Sequence, residues 1–124
     1  MIGTQLGRYR ILDLIGRGGM GSVYRAQDET LGREVALKVL HAGVGPGDDR
    51  DANRFQREAQ ASASLTHPNV VTIHEVGKED GTCFLAMELV RGESLRPWID
   101  REKPVGVEEA LGIIKQILSA LEQA

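Results

Sequence analysis

Ile15-Gly16-Arg17-Gly18-Gly19-Met20-Gly21-Ser22-Val23, followed by Val35-Ala36-Leu37-Lys38, is the stretch that decides the fold. On its N-terminal side, Tyr9 to Ile15 reads as a strand: Tyr9 and Ile11 are apolar, Arg10 and Asp13 are polar, and the run ends on Leu14-Ile15. Ser22 to Gln27 reads as a second strand, carrying the β-favouring Val23 and Tyr24. The glycines then form the tip of a hairpin. Asp28 to Gly32 is a polar turn, and Glu34 to Leu40 alternates, with Val35, Leu37 and Val39 on one face and Ala36 and Lys38 on the other.

Gly16-x-Gly18-x-x-Gly21 is a weak signal by itself in a chain with 15 glycines. It suits two chemistries. In a dinucleotide fold the glycines follow a strand and open a helix, whose N-terminus receives a pyrophosphate. Here Ser22-Val23-Tyr24 follows, which favours a second strand. A strand–loop–strand hairpin instead lays backbone N–H groups over the phosphates of a nucleotide, and a side chain at the tip would block that approach. A purely structural glycine hairpin is the third reading. Lys38 decides among them. It lies in an apolar run, on the face of the small Ala36, where a pocket floor and a phosphate-neutralising cation fit together. Burying that charge unpaired is costly, so an acidic partner is expected. Glu58, three residues after Phe55, is the candidate.

The remaining chain supports one domain. At 124 residues, with 41% hydrophobic and 27% charged residues, it has enough apolar material for a core. A net charge of -3 offers no basic face for nucleic acid. The single cysteine, Cys83, excludes an internal disulfide, and its apolar surroundings suggest a small buried side chain. No run approaches the roughly 18 apolar residues of a membrane span, and Met1 to Arg10 lacks the apolar core of a signal peptide. A cytoplasmic location is expected, with the cytoplasmic part of a longer membrane-anchored protein as the other arrangement. Ala42 to Asp51 is a loop, Ala52 to Leu65 has helical spacing through Phe55, Ala59 and Ala63, and His67-Pro68-Asn69 breaks that helix. Val70 to Val76 and Thr82 to Leu89 read as strands joined by a turn at Lys78 to Gly81. Beyond Gly92, Leu95 to Arg101 suits a short helix, and Val107 to Leu121 a strongly amphipathic one.

In this order the chain resembles the N-terminal lobe of eukaryotic-type protein kinases. The matching segments are the glycine loop, Val35-Ala36-Leu37-Lys38, Arg57-Glu58, His67-Pro68-Asn69-Val70-Val71, Phe84 to Val90, and Gly92-Glu93-Ser94-Leu95. Gly18-Gly19-Met20-Gly21 is similar to bacterial serine/threonine kinases in particular. The resemblance implies an α+β fold: residues 1–91 as an ATP-binding lobe of five antiparallel strands and one helix, and residues 92–124 as the hinge exit and first helices of an incomplete second lobe. It implies ATP as cofactor, with Lys38 on the α- and β-phosphates, Glu58 paired with it, and the flap Gly16, Arg17, Gly18, Gly19, Met20, Gly21 and Ser22 above. Val23 and Ala36 would sandwich the adenine with Ile15 above it, and Met87 would guard the pocket's depth. The Glu88 carbonyl and the Val90 N–H and carbonyl would bond the adenine edge, with Glu93 or Ser94 toward the ribose.

The implied activity is transfer of the ATP γ-phosphate to serine or threonine hydroxyls of a protein substrate. Catalysis in this family also needs an aspartate in a His-Arg-Asp loop, and the magnesium-holding asparagine and Asp-Phe-Gly aspartate. None of these segments occurs among these 124 residues, so no activity is expected of them alone, and Mg²⁺ is expected only in a complete kinase. The competing reading is a non-catalytic module that takes nucleotide weakly or docks on another kinase.

Overall fold

A computed structural model describes residues 1–18, 21–40 and 56–123 except 58 and 62. The strands are β1 (Gln5–Leu6), β2 (Tyr9–Arg17), β3 (Gly21–Asp28), β4 (Arg33–Leu40), β5 (Ile73–Glu79) and β6 (Thr82–Met87), and the helices are α1 (Leu95–Glu102) and α2 (Val107–Gln123). All neighbours in the six-stranded sheet, ordered β1-β2-β3-β4-β6-β5, run antiparallel. The five expected strands are present, and β1 is a sixth that two residues without alternation could not announce. Residues 56–57, 59–61 and 63 are helical, in the span expected for the single lobe helix. β5 opens at Ile73 rather than Val70 because residues 68–70 form a turn, in which the Val70 N–H donates to the His67 carbonyl at 3.1 Å.

Turn chemistry sets the hairpins. Between β5 and β6, Asp80 and Gly81 take φ of 49° and 80°, the left-handed pair that matches strand twist. Between β3 and β4, the Asp28 carboxylate accepts from the Thr30 and Leu31 N–H groups at 3.0 Å each. Asp28 is fully buried, and its other oxygen lies 3.4 Å from the Arg8 guanidinium.

The alternation of β4 divides the molecule. Val35, Leu37 and Val39 join Leu6, Tyr9, Ile11, Ala26, Phe84 and Ala86 in the main core. The Phe84 ring fills the space over Gly77, where a Cβ would stand 2.4 Å from it, and meets the Tyr9 ring edge-on at 5.7 Å. The opposite face carries a smaller cluster of Ala59, Cys83 and Leu85, with Leu40, Ile73, Val76 and Met87 around it. Cys83 is thus buried, as its apolar surroundings suggest. The sheet curls until its far strands meet: the Tyr9 hydroxyl donates to the Glu75 carboxylate, which also lies 3.2 Å from the Arg8 guanidinium.

Neither α1 nor α2 buries a residue. The turn after the lobe helix ties α2 to the sheet. His67 Nδ1 accepts from the Asn69 N–H at 3.0 Å, which leaves Nε2 to donate to Ser119 Oγ at 3.0 Å. Asn69 Nδ2 donates to the Gln116 carbonyl at 3.0 Å.

Candidate functional site

Strand register assembles the site. In antiparallel pairs, opposed residues share a face. Gly16 opposes Val23, Val23 opposes Lys38, and Lys38 opposes Leu85, so these residues form one row across four strands. The next row runs Asp13, Arg25, Ala36 and Met87. The lysine therefore stands beside Val23, just behind the glycine hairpin, on the face that carries Ala36. At the tip, the Gly18 N–H donates to the Gly21 carbonyl at 2.8 Å. Gly21 is buried where β3 crosses β4, and a Cβ there would lie 2.2 Å from the Val39 carbonyl oxygen. Ser22 is buried as well, at 3% exposure.

The strand carrying Ile15 and the segment after β6 face each other. Ile15, Leu89, Val90, Gly92, Glu93 and Ser94 line an open cavity of about 370 Å³. Val23, Ala36 and Lys38 are not among its described lining residues; they lie on β3 and β4, in the rows described above. The Glu88 N–H donates to the Thr72 carbonyl at 2.8 Å, and its carboxylate accepts from the Thr72 N–H at 3.1 Å. That double link fixes residue 88. The Glu88 carbonyl and the Val90 N–H and carbonyl have no partner among the described residues, and Val90 is 63% exposed. Glu93 is engaged elsewhere: Arg101 on α1 donates both arms of its fork to the carboxylate, and this hydrogen bonding holds the Glu93 carboxyl below the usual carboxylate range. Ser94 occupies the N-cap of α1 without a side-chain cap bond.

Of the residues singled out from sequence, Ile15, Gly16 and Arg17 end β2, Gly21, Ser22 and Val23 begin β3, Ala36 and Lys38 lie in β4, and Met87 closes β6. Gly19, Met20 and Glu58 lie outside the described residues, and with them the expected Lys38–Glu58 pair. Among the described residues no three His, Cys, Asp or Glu side chains converge to hold a metal.

Sequence reading missed an ionic chain beside the second row. Arg25 Nε donates to Asp13 at 2.7 Å and Arg25 Nη1 to Glu34 at 2.7 Å, and Arg91 reaches the same Glu34 oxygen at 3.5 Å. The Arg25 hydrogen bond, then the charge of Arg25 and after it that of Arg91, hold the Glu34 carboxyl below its ordinary range. The four residues are far apart in sequence and match no motif. Only cross-strand register brings them together.

With this geometry in view, comparison with known proteins places the chain. Residues 9–123 match the protein kinase domain, and the chain belongs to that family. It is 45% identical over its whole length to the serine/threonine-protein kinase PrkC of Bacillus subtilis, and 47% identical over 118 residues to the probable serine/threonine-protein kinase PknB of Lactococcus lactis. It spans about a fifth of the length of these relatives, 19% in both cases. Among solved structures, the kinase domain of Mycobacterium tuberculosis PknI superposes with a TM-score of 0.79 at 32% identity, over 98% of this chain and 49% of that one. The chain thus corresponds to the N-terminal part of a protein kinase domain, a family that works on ATP in general. No helix among the described residues is long and apolar enough to cross a membrane.

Proposed function

We propose that this chain supplies the ATP grip of a serine/threonine protein kinase that transfers the γ-phosphate to hydroxyls of a protein substrate. The observation that carries the reading is the row Gly16, Val23, Lys38 and Leu85, which sets one cation behind a glycine hairpin and beside an apolar floor. In this reading Lys38 neutralises the α- and β-phosphates, with Glu58 as its acidic partner. The flap from Gly16 to Ser22 covers the phosphates with backbone N–H groups. Ile15, Val23 and Ala36 bracket the adenine, and Met87 bounds its depth. The Glu88 carbonyl and the Val90 N–H and carbonyl, without a partner among the described residues, match the donor–acceptor edge of the base. Residues 1–91 form the nucleotide-binding lobe and 92–124 begin the second lobe. The γ-phosphate transfer itself depends on a base and magnesium ligands that these 124 residues do not contain.

The test is thermal unfolding of the native chain and of Lys38→Ala with millimolar MgATP. A ligand at ten times its Kd raises stability by about 1.4 kcal/mol. A stabilisation seen in the native chain and abolished in the variant supports the reading. Its absence from the native chain would leave the docking module, which the exposed apolar stripe of α2 favours.

A further inference from the structure

The β4–β6 ladder runs from Val39–Phe84 to Ala36–Met87, and no pairing continues past Met87. Beyond that point the chain leaves the sheet as the segment that bears Val90 and Arg91. Glu34, two residues before Ala36 and on the same face, takes up the connection by an ion pair with Arg91. On its other side Glu34 holds Arg25 at 2.7 Å, and Arg25 holds Asp13 through both Nε and Nη2. Asp13 lies between two register shifts in the β2–β3 ladder, Ile11/Asp13 and Leu14/Gly16, where backbone pairing alone leaves the hairpin least defined. Ile15 lies two residues after Asp13 on β2, Val90 directly precedes Arg91, and Ile15 and Val90 line the same cavity. The ionic chain therefore links the two segments that contribute Ile15 and Val90 to that cavity. Arg25 and Glu34 are partly shielded, with side-chain exposures of 33% and 26%.

We propose that Asp13, Arg25, Glu34 and Arg91 act as a strap that sets the height of the glycine hairpin over the segment 88–92, so that Arg25 and Glu34 are positioning residues for the nucleotide. The proposal deepens the ATP reading and rests on it for its ligand, but the strap itself is testable without nucleotide. Screening by salt acts on such a chain because its ends at Asp13 and Arg91 are exposed, at 55% and 73%.

The experiment compares the native chain, Glu34→Gln, Arg91→Gln and Lys38→Ala by amide hydrogen exchange, by MgATP titration at about 20 mM and about 500 mM salt, and by thermal unfolding. Arg91→Gln removes only the exposed last link, so it remains informative if Glu34→Gln fails to fold. The strap predicts faster exchange confined to residues 11–17 and 88–92 in both strap variants, and none in Lys38→Ala. It also predicts ATP binding weaker by about two- to fivefold at low salt, the scale of exposed ionic contacts. That difference disappears at high salt, with the thermal midpoint unchanged. Unchanged exchange in Arg91→Gln and in any folded Glu34→Gln overturns the strap, even if the native chain binds ATP. Faster local exchange in the variants of a chain that takes no ATP upholds the strap and removes the nucleotide reading instead.

Discussion

At the scale of single residues, the site depends on where atoms are excluded as much as on where they are placed. Gly21 must lack a side chain because β3 passes against the Val39 carbonyl, whereas a Cβ on Gly18 would find its nearest atom at 3.9 Å. Gly21→Ala is expected to destabilise the chain by about 1–3 kcal/mol, through the backbone shift that overpacking forces. Gly18→Ala is expected to leave the denaturation midpoint almost unchanged. Urea unfolding of the two variants checks this. Tyr9 gives a second prediction. Its burial first, and then its hydrogen bond to Glu75, push the phenol up from 10.0 to about 12. The folded state therefore keeps a proton that the unfolded chain releases near pH 10. The stabilisation is complete below pH 10 and is lost as pH rises toward 12. Urea midpoints measured from pH 8 to 12 are expected to fall more steeply for the native chain than for Tyr9→Phe, and parallel curves would refute the coupling.

At the scale of elements, the curled sheet encloses the main core and α2 buries no residue. Its apolar stripe of Val107, Leu111, Ile114, Ile117, Leu118 and Leu121 is 48–75% exposed. Each such side chain leaves on the order of 1 kcal/mol of burial unrealised, so the stripe favours association. Ile114→Lys combined with Leu118→Glu is expected to abolish concentration-dependent self-association in sedimentation velocity, with the unfolding midpoint of the sheet retained. The helix is tethered by polar contacts to the turn at 67–69. Asn69→Ala removes one of them, and faster amide exchange in α2 but not in β2–β4 is the expected result. The stripe was legible from its 3.6-residue period. The tether was not, because a helix and a turn about fifty residues apart announce no contact in sequence.

At the scale of the whole molecule, the chain is a curled six-stranded sheet followed by two helices, and its 124 residues lack the segments that the kinase family uses to complete transfer. Incubated with γ-labelled ATP and a generic protein substrate, these 124 residues are expected to incorporate no label above the protein-free blank. Much of this organisation was readable beforehand, because strand alternation is local physics: burying Val35, Leu37 and Val39 obliges Ala36 and Lys38 to face the other way. The hairpin at Gly16 to Gly21 was readable for the same reason, since strand-forming residues flank both sides of the glycines. The residues alone thus determined the strands, their faces and the placing of Lys38 on the same face as Ala36. Only the tertiary structure decided which strands are neighbours, and so which charges meet. In the order β1-β2-β3-β4-β6-β5 the curl brings Tyr9 and Arg8 to Glu75. Register then places Arg25 between Asp13 and Glu34 and brings Arg91 to the end of the row. Side-chain pairing across strands depends on distance in space, which the order of residues along one chain does not contain.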